Sequence, residues 1–431
     1  MRTVEIIGAG LAGCEAAWQL AQRGVPVRLV EMRPEKSTPA HHTGEFAELV
    51  CSNSLRGDGL HNAVGLLKEE LRQLDSLILS CADQTRVEAG GALAVDRHGF
   101  SQLVTQRIHA HPLITVTGGE ATEIPAGPAI IATGPLTSDA MAEAINRFFD
   151  GCEPLSFYDA AAPLVAADSV DMELAWFASR YDRGNADYVN CAMNQEEYRA
   201  FVRELAAAEE AEVHGFEDSK VFEGCMPVEV MARRGEDTLR YGPLKPVGLA
   251  DPRTGREPYA VVQLRRDNAE GSIYNLVGFQ THLRQPEQRR VFRMIPALHR
   301  AEFLRYGVMH RNTFLNSPRL LDCYYRVRKN PEIAFAGQMT GVEGYVESAA
   351  SGWLAGRAMA AAERGEPLPP VNSQTAIGAL GLYIAGGGLS KFQPMNINFG
   401  IMEPLGYRVK GKRNKNEEIS RRALAQIGML K

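Results

Sequence analysis

Two short stretches of this chain set a thiol among groups that can change its reactivity. In "AELVCSNSLRGDG", residues 47–59, Cys51 is followed by Ser52, Asn53 and Ser54, then by glycines with Arg56 and Asp58 among them. Small polar residues and glycines make a loop rather than the interior of a strand or helix. In "VFEGCMPVE", residues 221–229, Cys225 lies between Gly224 and Met226-Pro227, with Glu223 and Glu229 close in sequence. Such a turn can present a thiol into a cleft, and polar or charged neighbours decide how much of it is thiolate. The plainer reading of any single cysteine is a small buried hydrophobe. Cys14, on a helix face, takes that reading, and Cys81, Cys152, Cys191 and Cys323 have no polar context that sets them apart. The seven cysteines are dispersed and form no CxxC, so reduced thiols are expected and no metal site.

A third constellation is Gly8-Ala9-Gly10-Leu11-Ala12-Gly13, a GxGxxG run. It follows an apolar strand, opens a helix from about Leu11 to Arg23, and leads into the strand "PVRLVE", which ends at Glu31. In this βαβ context each position has a physical task. Gly8 permits the tight turn, Gly10 a close approach to a pyrophosphate, and Gly13 helix–strand packing. The helix N-terminus offers unpaired N–H groups to the phosphates, and Glu31 can accept hydrogen bonds from a ribose. Two later segments favour FAD over NAD. "AIIATGP" is a strand ending in Ala132-Thr133-Gly134. "IAFAGQMTGVEGYVESAASGWLAG" is a strand, a loop with Gly337, Gln338, Gly341 and Gly344, and a helix whose N-terminus can face the other end of a pyrophosphate. No second GxGxxG is present, so a reduced nicotinamide would bind only transiently.

The elements that position these residues are of α/β type. "HNAVGLLKEELRQLDSLILSCA" has apolar residues at helical spacing and reads as one helix; "GALAVDRHGFSQLVTQRIHAH" reads as a strand, a turn and a helix. From about residue 181 the chain becomes polar, with one amphipathic helix and short strands such as "YAVVQLRRD" and "SIYNLVGFQT"; near 324 the α/β style returns. A FAD-binding Rossmann-like domain of the two-dinucleotide-fold type, interrupted by an inserted α+β domain, is expected: 1–180, the insertion 181–324, and 325–431 with a basic C-terminal segment. The 431 residues, 45% hydrophobic and 23% charged, suit a globular chain, and the net charge of −5 neither suggests nor excludes a nucleic-acid partner. No signal peptide is visible and no apolar run approaches the roughly 18 residues of a membrane span, so a cytoplasmic protein without a membrane partner is expected.

"GAGLAGCEAAWQLAQRGVPVRLVEMRP", "AELVCSNSL", "GALAVDR", "FEGCMPVE" and "FAGQMTGVEGYVESAASG" together resemble one family, the bacterial folate- and FAD-dependent tRNA uracil-5-methyltransferases, TrmFO. The resemblance runs from residue 2 to about residue 403. The C-terminal motif is shared with the larger MnmG/GidA tRNA wobble-uridine modifiers, the alternative reading, but the chain is much shorter and carries both cysteine motifs. The resemblance implies methylation of the T-loop uridine of tRNA at C5. The carbon would come from 5,10-methylenetetrahydrofolate, the electrons from reduced FAD, and NADPH or NADH would reduce the flavin again.

That chemistry requires a thiolate adding at uracil C6 and a base removing the C5 proton. The family's motif places a catalytic cysteine at Cys225, taken as the C6 nucleophile. Cys51 is expected on the flavin side, for proton transfer at C5 or transient holding of the methylene; the two roles could be exchanged. The pterin should stack on the flavin with an aromatic or imidazole on its other face. His282 and Tyr345 are candidates for that face, and Arg284 and Lys410 for the carboxylates of the folate tail. Asn53 would hydrogen-bond the flavin edge or order the Cys51 loop, and Arg97 would pair with Asp96 or touch cofactor. The clusters "RQPEQRRVFR", "MARRGEDTLR", "RVRKNP" and "RVKGKRNK" are the candidates for tRNA phosphates, though charge runs are commonly just solvated faces. No obligate protein partner is evident, and a monomer or weak homo-oligomer is expected.

Overall fold

The computed structural model describes residues 1–38, 40–150, 155–160, 162–182, 186–211, 226–307, 309–386 and 392–430. Its first sheet has six strands in the order Arg326–Val327, Asn330–Phe335, Ala129–Ile131, Val4–Ile7, Val27–Glu31, Ile114–Gly118. Val4 pairs with Val27, Glu5 with Ala129, Ile333 with Ala129 and Val27 with Ile114, all in parallel. Only the edge hairpin is antiparallel. Parallel strands need crossovers that cover the sheet; the central strand Ala129–Ile131 is buried throughout, while Val27–Glu31 and Ile114–Gly118 keep exposed positions toward the sheet edge.

The helix Leu11–Gln22 packs along the helix Tyr345–Arg364. Two glycines set how close they come. A Cβ on Gly352 would stand 2.2 Å from the Ala12 carbonyl oxygen, and one on Gly356 would stand 2.8 Å from the Ala16 oxygen. The stretch expected as one helix from 61 to 82 is two, Ala63–Gln73 and Leu77–Gln84. Asp75 turns left-handed at φ 57°, and Ser76 caps the second helix by accepting from Leu79 N–H. The buried Glu15 carboxylate then accepts the Ser76 hydroxyl at 2.6 Å and the Ile78 N–H at 3.0 Å. A helix N-terminus aimed at a buried carboxylate outweighs the continuous apolar period.

The second sheet is antiparallel, in the order Ala175–Ala178, Tyr188–Met193, Ala260–Arg266, Ile273–Leu276, Leu164–Ala166, Phe303–Arg305. The helix Gln195–Ala207, opened by an Asn194/Glu197 capping box, packs on it with the helices Val228–Arg233 and Gln285–Phe292. An antiparallel ribbon, Leu155–Ala160 with Met309–Phe314, carries the chain out to this sheet and back. The second sheet therefore runs from Leu164 to Arg305, and its unit sets in and ends earlier than 181–324. Its opening strands are only three and four residues long and show no alternation to read. A third sheet, Ser54–Gly57, Ala92–Val95 and Arg86–Val87, lies against the second, where the Tyr188 hydroxyl donates to the Ala89 carbonyl at 3.1 Å. Among the described residues no helix is long and apolar enough to cross a membrane.

Candidate active site

A cleft opens where the parallel strands end. Gly8, Gly10, Leu11 and Ala12 form one wall, Ala132, Thr133 and Gly134 a second, and Gly337 and Gln338 a third. Ligands of open α/β sheets bind in this position. Ala9 and Gly13 sit behind the wall: the Ala9 N–H donates to Glu31 at 2.8 Å, and Gly13 faces the Gly8 carbonyl. Glu31 lines the cleft, yet both its oxygens are engaged. Oε1 accepts the Arg33 N–H and Nε, each at 3.0 Å, while Oε2 takes Ala9 N–H and Arg33 Nη2. Burial works against its charge, but Arg33 outweighs it and holds the carboxyl below the usual range. A ribose hydroxyl would have to take over a position now held by Arg33. Gly341 and Gly344 do not line this cleft. At Gly341 a Cβ would meet the Phe392 ring at 2.3 Å, and at Gly344 it would meet Glu347 at 2.5 Å, so those glycines admit protein side chains.

The Cys51 loop lies at the rim, next to Val50 and Tyr345, which line the cleft. The Tyr345 hydroxyl accepts the N–H of Cys51 at 2.8 Å and of Ser52 at 3.2 Å. Burial pushes the Tyr345 phenol up, so it stays neutral. From the antiparallel sheet, Arg265 donates to the Ser52 hydroxyl at 2.7 Å and to the Asn53 amide oxygen at 3.1 Å. Asn53 is fully buried and donates in turn to the carbonyls of Val95 and Arg266. It therefore orders the loop and does not reach the cleft. Arg97 pairs with Asp267 at 2.8 Å and donates to the Leu49 carbonyl. It does not pair with Asp96, which caps its own helix through the Gly99 N–H at 2.7 Å. Both halves of the fold thus hold the thiol loop.

A family model described as glucose inhibited division protein A matches residues 3–367. The curated methylenetetrahydrofolate–tRNA-(uracil-5-)-methyltransferase TrmFO of Desulfitobacterium hafniense (strain Y51) is 59% identical over 430 residues, 99% of this chain and 98% of its own. That of Heliobacterium modesticaldum is 60% identical over 426 residues, 99% and 97%. The chain belongs to the TrmFO family. Among solved structures, Aquifex aeolicus GidA in its form II crystal covers 100% of this chain and 74% of that one, with a TM-score of 0.71 at 14% identity, a likeness of fold.

Of the residues that the TrmFO resemblance offered for folate, only Tyr345 lies at the cleft. His282 is buried, with its imidazole between two carboxylates: Nε2 is 2.6 Å from Glu210 and Nδ1 2.7 Å from Glu229. With both faces enclosed by protein, it has no face for a pterin. Arg284 is an exposed partner of Glu209 at 2.7 Å, and Lys410 is exposed in the loop before the helix Lys412–Gln426. Cys225, with Glu223, lies outside the described residues. Cys14 and Cys81 are buried as packing residues, and burial raises the thiol of each. Sequence reasoning missed Arg265, which holds Ser52 and Asn53, and Asp267, which holds Arg97. The signal was the run "QLRRD", where charge enters a strand whose six residues from Ala260 to Arg265 are buried.

Proposed function

We propose that this protein methylates C5 of the T-loop uridine of tRNA. The carbon comes from 5,10-methylenetetrahydrofolate, the electrons from reduced FAD, and NADPH or NADH restores the reduced flavin. The observation that carries the reading is the Cys51 loop, fixed by Tyr345 and Arg265 at the rim of a dinucleotide cleft. The cleft fits FAD. The helix that starts at Leu11 turns its first N–H groups toward it, and Gly8, Gly134 and Gly337 keep backbone φ values of 100°, 74° and 85° that bring main chain to the surface.

In this reading a thiolate, Cys225, adds to uracil C6 and makes C5 nucleophilic toward the folate methylene. Cys51 takes the C5 proton or holds the activated methylene. Bound reduced FAD supplies the hydride that turns the exocyclic methylene into a methyl group. Tyr345 accepts the N–H groups of Cys51 and Ser52, and Arg265 fixes the side chains of Ser52 and Asn53, so the backbone that carries the thiol is held in place. Gly411 to Lys415 are all exposed, which makes this basic start of the C-terminal helix a candidate for phosphate contacts. We further place the enzyme in the cytoplasm, acting on tRNA as a monomer or weak homo-oligomer.

The test supplies labelled methylenetetrahydrofolate, NADPH and T-loop RNA to the purified protein. Label should reach uridine C5, and the flavin should bleach and recover. Transfer that required S-adenosylmethionine instead, or no label in RNA, would sink the reading.

A further inference from the structure

The face of the second sheet that meets the Cys51 loop carries one row of residues across five strands. Tyr188, Arg265, Asn275, Leu164 and Arg305 stand opposite one another in turn, the last across a β-bulge, and residues directly opposite share a face. Arg265 is the member that holds the loop, through Ser52 at 2.7 Å and Asn53 at 3.1 Å. Asn275 and Arg305 continue the row beyond it, with buried Leu164 between them. Asn275 is 2% exposed, and its Nδ2 has no hydrogen-bond partner among the described residues. The Arg305 Nε and Nη2 are buried and equally without one. Those two nitrogens lie on one edge of the guanidinium, whose N–H groups point the same way. Arg305 also lies near enough to Arg97 and Tyr345, both bonded to this loop segment, to act on them through charge. Burying unpaired donors is costly, and the cost is explained where a ligand brings the acceptors.

The unpaired nitrogens are all donors, so the fitting ligand presents oxygen acceptors, and the cation favours one that gains negative charge. Side chains stand roughly perpendicular to a sheet, so two strand spacings set Asn275 and Arg305 about 10 Å apart. A pyrimidine ring with a hydrogen bond of about 2.9 Å on each of its two carbonyl oxygens spans a similar distance, and Leu164 gives it an apolar floor. We propose that Asn275 and Arg305 hold the target uracil by its two carbonyl oxygens, with Arg305 on O4, the oxygen that becomes negative when a thiolate adds at C6. The assignment rests on the uracil chemistry proposed above. In that addition the S–C6 bond forms, the C5–C6 π pair shifts to C4–C5, and the C4–O4 π pair moves onto O4. When C5 attacks the folate methylene, O4 becomes a carbonyl again. A preorganised donor pair on O4 therefore stabilises charge that exists only after the thiolate has added.

The experiment measures single-turnover methyl transfer from labelled methylenetetrahydrofolate to T-loop RNA carrying uridine or 4-thiouridine at the target position. Flavin-loaded wild type, Arg305→Gln, Arg305→Lys and Asn275→Ala are compared, with flavin content, melting temperature and RNA affinity measured for each. On uridine, Arg305→Gln should slow transfer about 10²–10³-fold, while Arg305→Lys and Asn275→Ala should lose less. On 4-thiouridine the Arg305→Gln loss should shrink below about tenfold, because sulfur carries the charge with less help from a donor. Removing an unsatisfied buried donor should leave the melting temperature unchanged or higher, where a structural role would lower it. An unchanged rate in Arg305→Gln overturns the proposal, as does an equal loss on both RNAs. A raised KM for methylenetetrahydrofolate with an intact rate at saturation overturns it and gives the donors to folate; lost flavin overturns it and gives them to the cofactor. Wild type that transfers no label sinks the functional reading and the proposal with it, whereas variants that match an active wild type sink the proposal alone.

Discussion

Raising the pH should release a clamp centred on His282. Its imidazole lies between Glu210 and Glu229 at 2.6 and 2.7 Å, with the His282 side chain only 1% exposed. Glu229 also accepts the Thr281 hydroxyl and the His282 N–H, each at 2.8 Å, and the Ala211 N–H donates to the His282 carbonyl at 2.8 Å. Burial alone would lower the imidazole pKa, but the two carboxylates outweigh it and raise the pKa from 6.5 to about 9. A folded-state pKa above the unfolded one means that the stabilisation is complete below pH 6.5 and is lost as pH rises through about 9. At about 1.4 kcal/mol per unit the shift corresponds to roughly 3 kcal/mol. The Glu210 side chain is 26% exposed, so water screens that half of the clamp and about 2 kcal/mol remains.

The assay is urea unfolding of wild type and His282→Gln at steps from about pH 6 to 10. Removing the cation leaves two carboxylates facing each other, so the variant should be about 3 kcal/mol less stable near pH 6. The gap should close by about 2 kcal/mol by pH 9.5, because the wild type then loses its imidazolium as well. The gap is diagnostic and the slope alone is not. Burial lowers Lys68 to about 7 and raises Glu70 to about 8, and both groups titrate in the same window in either protein. A gap that stays constant across the range would refute a charged His282.

Tyr345→Phe removes the oxygen that accepts from the Cys51 and Ser52 N–H groups. It should cost about 1–3 kcal/mol and lower methyl transfer at least about tenfold, with flavin content unchanged in the absorbance spectrum; lost flavin would make Tyr345 a cofactor ligand instead. Gly13→Ala puts a Cβ 1.8 Å from the Gly8 oxygen and should destabilise by about 3 kcal/mol or more, giving colourless protein on purification. A fully yellow Gly13→Ala protein would contradict that packing. Lys68→Met strips the carbonyls of Leu55, Arg56 and Gly57 of a donor at 2.7–3.1 Å and should cost about 3 kcal/mol or more by urea midpoint. Unchanged stability would mean that water replaces the lysine.

The dinucleotide cleft was legible because its parts are local. Strand, turn, helix and acidic strand end follow one another from Val4 to Glu31, so each glycine's task depends on neighbours a few residues away. The Cys51 site was legible only as a loop with a thiol. Its hydrogen-bond partners come from Arg265 and Tyr345, more than 200 residues downstream, and no period or spacing connects them. His282 was visible as an imidazole, but its enclosure by Glu210 and Glu229 depends on a chain crossing that sequence does not print. Two differences, in contrast, follow from signals that were present. Asp75-Ser76 inside an apolar period is a stop and an N-cap, and it divides the helix. Asp96 stands just before the helix Arg97–Ala110, the place for a capping carboxylate. Once its Oδ1 is spent on the Gly99 N–H and its Oδ2 on the Ala269 N–H, Arg97 has to find a counter-charge elsewhere. It finds Asp267, in the other half of the fold. A helix cap at one residue thus sends its neighbour to the end of the strand Ala260–Arg266, and Arg97, bonded there and to the Leu49 carbonyl, ties the segment before Cys51 to the second sheet.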